Sequence, residues 1–375
     1  MTPRRILICT HAGDVHALAV QAALTGAGAA VMTWNPRDFP ARQSISLEIS
    51  QRNVRLAVKK PGLESMDQFD AIWLRRIDWT GLRTSQEPAQ SALTLRHCTF
   101  FSDRVFDLFG QEALWVNHKD CASRAEFKPK QLEMASRAGL AIPDSLISND
   151  PEKVLEFAEE KSWKVVAKPL LGEFLAKENG SFLSLHAERL EATIPGIEGA
   201  ISQIPYIYQE FIRVASEIRV TVMGSTVFAA RIDLAEDGVV DIHRRRVQAV
   251  TKFTLPISIK SACLKLLKNL GLIFGCIDFL LTDDEQMIFL EINQAGQFLW
   301  LERHIPEHAY LGSFCALLLG QDSLPDIHLE AVLDSSEFRE TLREDPPVPA
   351  ASHETYGSMK PSLGASPGDL SHGVA

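Results

Sequence analysis

Residues 275–293 read GCIDFLLTDDEQMIFLEIN, two apolar runs around a polar turn. Short β-favouring runs bounded by turn residues describe the two strands of a hairpin. Ile277, Phe279, Leu281, Phe289 and Ile292 crowd both runs, so the sheet they join is expected to be covered. The same strands carry Asp278, Glu291 and Asn293. A loop of about five residues would set Asp278 beside Glu291, and period-two alternation puts Asn293 on the Glu291 face. Close carboxylates in a covered site repel and raise each other's pKa unless a cation compensates. Two carboxylates and an amide oxygen are hard ligands that suit Mg²⁺. The alternative is an exposed sheet face with polar residues by chance.

At 375 residues the chain exceeds one average domain, and two or three packed units are expected. Net charge is −10, so there is no basic field for nucleic acid or an anionic membrane. The six cysteines are scattered without a C-x-x-C pair, which argues against a disulfide framework or a structural zinc site. No apolar run reaches membrane-spanning length. MTPRRILICT has too short an apolar run for a signal peptide and reads as a first buried strand, so the cytosol is the expected compartment.

Residues 4–34 read as a βαβ unit of Rossmann type, with Gly26 and Gly28 stopping the helix. Gly13 stands alone in its turn, without a G-x-G-x-x-G run. SISLEIS and VRLAVKK alternate like a hairpin, and Arg75, Arg76 and Asp78 follow a strand. That cluster is either a solvated loop or faces the ligand crevice at the carboxyl end of the sheet. A first unit ends near residue 118. In the second, KPKQLEMASRAG is a helix with Pro129 early and Gly139 past its end, and Asp150 caps another helix. The third holds the hairpin EIRVTVMG–TVFAARID, a helix over SIKSACLKLLKNLGL, the hairpin above and a last helix ending at Gly320. The expected boundaries are 1–118, 119–208 and 209–325, with 326–375 as a tail. From Pro346 on, 14 of 30 residues are Pro, Gly or Ser, a composition that predicts disorder. His11, His16 and His118 lack ligand spacing and read as polar loop or surface residues.

A metal that bridges phosphates needs further cations. Lys168 ends the apolar strand VVAK, where a buried ammonium is costly without an anion; alone it would read as a snorkelling surface lysine. Lys128 precedes a helix whose N-terminus could gather a phosphate. The ordered set Lys128, Lys168, Glu210 (YQEFI), Glu217-Ile218-Arg219, Arg231, Asp278 and Glu291-Ile292-Asn293 resembles the ATP-grasp superfamily, in its RimK-like branch. WVNHKDCASRAEFKPKQLEMASRAGLAIPDSLISND and EINQAGQFLWLE resemble the microviridin-type (graspetide) maturases of ribosomal peptides. The resemblance covers roughly residues 1–325.

It implies a mixed α/β and α+β fold: an N-terminal Rossmann-like pre-ATP-grasp domain, a central lid and a C-terminal α+β subdomain. ATP would lie between the last two. Lys128 and Lys168 would contact its phosphates, Gln209, Glu210, Phe211 and Ile212 would form the adenine hinge, and Glu217 would hold the ribose. Asp278, Glu291 and Asn293 would hold two Mg²⁺. Arg231 and one of Arg244, Arg245 and Arg246 would steady the transferred phosphate and the substrate carboxylate. The family activates Asp or Glu side chains of a precursor peptide as acyl phosphates and joins them to Thr, Ser or Lys. Members often form homodimers. The chain departs from the pattern where Asp241-Ile242-His243 stands for a usual Asp-Trp-Arg, and where LLGEFLAKENG lacks a dense glycine run. HRRRV reads either as a solvated loop or as a receiver of an acidic peptide and phosphate. Two alternatives stay open: an RimK-like ligase that adds free amino acids, and a binding module without turnover.

Overall fold

The computed structural model describes residues 2–344 except 41, 52, 59–68, 76–87, 109, 171–173, 177–181, 185–186, 192–196, 215, 236–244 and 325. The first unit contains β1 (Arg5–Cys9), α1 (Val15–Gly26), β2 (Ala30–Trp34), β3 (Ile45–Ser50), β4 (Asn53–Val58), β5 (Ala71–Leu74), α2 (Pro88–Val105) and β6 (Leu114–Val116). Four strands form a parallel sheet ordered β2-β1-β5-β6, and β3 pairs with β4 as the expected hairpin. Asp14 starts α1 by accepting from the backbone N–H groups of His16 and Ala17, donors that have no partner within the helix. His16 is not a surface residue as expected. It is buried, its Nε2 accepts from the Leu299 N–H at 3.3 Å, and its ring meets Phe298 edge-on.

The second stretch contains α3 (Lys119–Glu126), α4 (Lys128–Ala138), β7 (Ser145–Ser148), α5 (Pro151–Glu160), β8 (Val165–Lys168), β9 (Phe174–Ala176), β10 (Phe182–Ser184), β11 (Glu188–Arg189), α6 (Ile197–Ile201) and β12 (Tyr206–Glu210). Pro129 sits in the first turn of α4, and Gly139 closes the helix at φ 95°, a left-handed conformation that glycine adopts without steric cost. A small sheet runs β11-β8-β12-β7. Because β12 belongs to that sheet along its whole length, the boundary expected after residue 208 moves past Glu210.

The third stretch contains β13 (Ser216–Met223), β14 (Thr226–Leu234), β15 (Val247–Lys252), α7 (Ile257–Leu270), β16 (Phe274–Leu281), β17 (Met287–Asn293), α8 (Leu299–His304), α9 (Tyr310–Leu319), α10 (Leu329–Leu333) and α11 (Ser336–Glu344). Its strands form an antiparallel sheet, β15-β14-β13-β16-β17. One face packs Ile218, Val220, Ile277 and Phe279 against Leu132 and Ala135 of α4 and Leu266 of α7. Thus α4 belongs to the large sheet's core, although the sequence groups it with the second unit. On the other face Phe274 and Cys276 share a core with Trp73, Phe298, Phe314 and the apolar side of α1. Residues 326–344, expected as irregular tail, instead hold α10 and α11, which bury Leu329 and Phe338 in that same core. The rest of the expected tail, 345–375, lies outside the described residues.

Glu302 of α8 ties these C-terminal helices together. Its carboxylate is 3 % exposed and accepts from the N–H groups of Leu311 at 2.7 Å and Leu329 at 2.6 Å, in the first turns of α9 and α10. Burial pushes its pKa up against the pull of those bonds. The variant Glu302→Gln turns an amide NH₂ toward one backbone N–H and is expected to cost about 1–3 kcal/mol in urea unfolding. A carboxyl raised in the folded state loses stability as pH climbs from its unfolded value of about 4.3 through the folded one, so the variant should also flatten that slope.

Candidate active site

Alternation along β13 sends Ile218, Val220 and Val222 under α4 and α7, and Glu217, Arg219 and Thr221 to the opposite face. Pairing places Arg219 opposite Asp278 on β16, and Asp278 opposite Glu291 on β17. The hairpin register expected from spacing is therefore the observed one, with a bulge between Asp278 and Phe279. Asn293 follows on the Glu291 face, opposite Cys276.

Asp278 is 1 % exposed. Arg219 Nη1 donates to both of its carboxylate oxygens, at 2.9 and 3.0 Å, and Nη2 donates to the Gln297 carbonyl at 3.3 Å. Burial by itself lowers the Arg219 pKa, but the negative charge of Asp278, with that of Glu217, outweighs it and holds the guanidinium raised. Glu291 is less buried and accepts from Lys128 Nζ at 2.5 Å. Each carboxylate thus faces a side-chain cation. The compensation that the sequence argument assigned to a metal ion is supplied first by Arg219 and Lys128. The two differ in access: the Arg219 side chain is 11 % exposed and that of Lys128 is 32 %. Lys128 is the member of the set that can turn toward an incoming anion.

Asp278, Glu291 and Asn293 together form an all-oxygen donor set. Asn293 Oδ1 accepts from the Ala295 N–H at 3.0 Å and keeps a second lone pair, as do the carboxylate oxygens. This chemistry fits a hard divalent cation. Among the described residues no three His, Cys, Asp or Glu side chains group into a metal cage, so a cation here would complete its shell with water or phosphate oxygens.

The small sheet contributes Lys168 on β8 and Gln209 on β12. Lys168 Nζ donates to Gln209 Oε1 at 2.7 Å, and Gln209 Nε2 donates to Ser145 Oγ at 2.9 Å. The Glu210 N–H donates to the Asp144 carbonyl and that of Phe211 to the Lys164 carbonyl. Ile212 joins Val214, Leu280, Ile288 and Leu290 in a small apolar cluster. Leu280 sits two residues beyond Asp278 on the same strand face, so apolar surface adjoins the charged set, with Glu217 paired beside it. Val214, Leu280 and Ile288 were missed in the sequence, although the spacing of Leu280 from Asp278 carried the signal.

Two of the expected arginines take other partners in this structure. Arg231 pairs with Ile218, which faces the core under α4 and α7, and its Nε donates to Asp233 at 2.8 Å, on the face opposite Asp278. Arg245 donates Nε and Nη2 to the Ala235 carbonyl and Nη1 to that of Val214, so it clamps backbone beside the apolar cluster. Arg244 lies outside the described residues. Cys9, Cys263, Cys276 and Cys315 are buried, and burial pushes their thiols up, that of Cys263 to about 12. None of the four is a ready thiolate.

Residues 125–307 match the RimK-like ATP-grasp domain, and residues 5–117 match the MvdD pre-ATP grasp domain. The chain belongs to the ATP-grasp ligases. Within them it carries a RimK-like ATP-grasp domain behind a pre-ATP-grasp domain of the MvdD type. A curated relative, the probable alpha-L-glutamate ligase 1 of Shewanella amazonensis, is 26 % identical over 209 residues. That match spans 55 % of this chain and 66 % of the relative, just under two thirds of its length. The macrocyclase MdnC of Microcystis aeruginosa MRC, crystallised with the precursor peptide MdnA, superposes with TM-score 0.73 at 24 % identity, over 84 % of this chain and 100 % of that one. A RiPP-associated ATP-grasp ligase from Chryseobacterium gregarium, in complex with ADP and a leader and core peptide, gives TM-score 0.71 at 21 % identity, over 84 % and 97 %. Both share the fold. Among the described residues no helix is long and apolar enough to cross a membrane.

Removing one partner of a buried ion pair strands the other charge. The variant Arg219→Met is expected to lose about 3–5 kcal/mol of stability in chemical denaturation. Adding Asp278→Leu to it should restore most of that loss, because no buried charge then remains unpaired.

Proposed function

We propose that this chain is a Mg-ATP-dependent ligase that cross-links side chains of a ribosomally made precursor peptide. The observation that carries the reading is the register of Asp278 on Glu291, with Asn293 following on the same face. Support comes from the pre-ATP-grasp domain of MvdD type and from the likeness to a macrocyclase crystallised with its precursor.

In this reading the apolar cluster around Ile212 and Leu280, with the hinge Gln209–Ile212, receives the adenine, and Glu217 holds the ribose. Asp278, Glu291 and Asn293 hold Mg²⁺, two ions by family analogy, which would neutralise the terminal phosphate oxygens. Lys128 leaves Glu291 for a phosphate, and Lys168 serves another from the small sheet. A peptide carboxylate oxygen attacks the γ-phosphorus, ADP leaves, and an acyl phosphate forms. A Thr or Ser hydroxyl, or a Lys amine, then attacks the acyl carbon. Phosphate departs and the nucleophile's proton is released, leaving an ester or an amide. Both groups belong to one peptide, so holding the loop in place supplies much of the rate. A cytoplasmic, homodimeric enzyme accords with this role.

A second reading has one observation in its favour, the likeness to a probable glutamate ligase. There a free amino acid would be the nucleophile. Incubation with ATP, Mg²⁺ and a Thr- and Asp/Glu-rich precursor encoded beside the gene separates the two. Each cross-link is expected to lower the peptide mass by about 18 Da, one water per bond formed through the acyl intermediate. A mass gain equal to one amino-acid residue would support the second reading instead. Glu291→Gln is expected to abolish ADP formation while the protein stays folded, and normal turnover in that variant would refute the metal assignment.

A further inference from the structure

Past Asn293 the chain leaves β17 as irregular backbone, yet the carbonyls of Ile292, Gln294, Ala295 and Gln297 are held by side chains from elsewhere. Gln131 of α4 donates Nε2 to the Ile292 carbonyl at 3.0 Å and accepts from the Ile292 N–H at 3.0 Å. Asn117, just past β6, donates Nδ2 to the Gln294 carbonyl at 3.0 Å and to that of Phe274 at 2.9 Å. Its Oδ1 accepts from the N–H groups of Ile273 and Phe274. Arg75, just past β5, donates Nη1 to the Ala295 carbonyl. Arg219 holds the Gln297 carbonyl.

Arg75, Asn117 and Gln131 are 2, 1 and 4 % exposed, so these are buried anchors and not surface contacts. The segment is also seated tightly. A Cβ on Gly296 would lie 2.6 Å from Cys276 Sγ, so the backbone there approaches β16 as only glycine permits.

Two of the anchors come from the first unit, from the carboxyl ends of adjacent parallel strands. Arg75 is itself fixed. Its Nε lies 3.4 Å from Asp14 Oδ2, and that oxygen also accepts from Thr10 Oγ1 at 2.9 Å. The Asp14 carboxylate in turn caps α1. A chain of buried polar contacts thus runs from the first turn of α1 to the residues on either side of Asn293. Pinning the carbonyls of 292, 294 and 295 fixes the backbone dihedrals about Asn293, and with them the direction in which its side chain leaves.

We propose that Arg75 and Asn117 are positioning residues through which the N-terminal domain sets the geometry of the metal-holding segment. This rests on the assignment of Asp278, Glu291 and Asn293 to Mg²⁺. The N-terminal domain is then part of the phosphoryl-transfer site without touching nucleotide.

The test uses the full chain and Arg75→Lys. A lysine keeps a cation beside Asp14 but cannot serve Asp14 and the Ala295 carbonyl together as a guanidinium fork does. Mn²⁺ binding in the presence of ADP is followed by electron paramagnetic resonance, ADP binding without metal by calorimetry, and amide exchange of residues 292–297 by mass spectrometry. Loss of such outer contacts to a metal site typically weakens metal affinity about 10-fold or more, and that loss is expected for Mn²⁺. Metal-free ADP affinity should hold in a variant that stays folded at the assay temperature, and exchange across 292–297 should rise. Unchanged Mn²⁺ affinity in the folded variant overturns the proposal. So does an equal loss of metal and metal-free nucleotide binding, which would mark a general structural role. If the unaltered protein binds no Mn²⁺ with ADP, the metal assignment itself fails and the proposal falls with it.

Discussion

The site is organised by the buried contact between Arg219 and Asp278 on adjacent strands of the large sheet. A carboxylate at 1 % exposure is tolerable only with a hydrogen-bonded counter-ion, and the guanidinium meets both oxygens. That pairing fixes where Asp278 points. Glu291 then sits beside it by strand register, and Lys128 balances Glu291 from the start of α4. The result is a charge-balanced surface in which one cation is locked and the other is accessible. In the proposed reading a metal–nucleotide complex enters by exchanging Lys128 from a carboxylate to a phosphate, without exposing a bare pair of like charges.

The surroundings give this surface direction. The apolar cluster of Val214, Leu280 and Ile288 adjoins it on the side of the small sheet. The segment that carries Asn293 leaves it on the side of the parallel sheet, held by Asn117 and Arg75. Three structural units therefore meet at one set of side chains. The N-terminal unit is joined to the rest by a shared apolar core as well as by polar anchors, since Trp73 and α1 pack with Phe298 and Phe314.

Much of this was legible in the chain itself, for identifiable reasons. The hairpin of Asp278 and Glu291 was readable because its loop is short and its strands alternate. The ends of α4 and α5 follow local chemistry, as Pro129, Gly139 and Asp150 show. The face of Arg231 was readable in principle: the tight turn at Gly224 sets Thr226 against Met223, and counting back pairs Arg231 with apolar Ile218. Phe338 and Leu342 are likewise spaced as one face of a helix, although the span from 326 on reads as a tail. Arg219 facing Asp278 was not legible, because that register joins strands separated by a crossover and a helix. Nor was the burial of Arg75, which depends on a carbonyl 220 residues away.

The most direct test of the central claim is a crystal structure of the protein with Mg²⁺ and ADP. The account predicts a metal ion about 2.0–2.1 Å from oxygens of Asp278 and Glu291, with Arg219 still on Asp278 and Lys128 moved onto a phosphate. A nucleotide bound with its metal remote from both carboxylates, while Lys128 keeps its contact with Glu291, would contradict it.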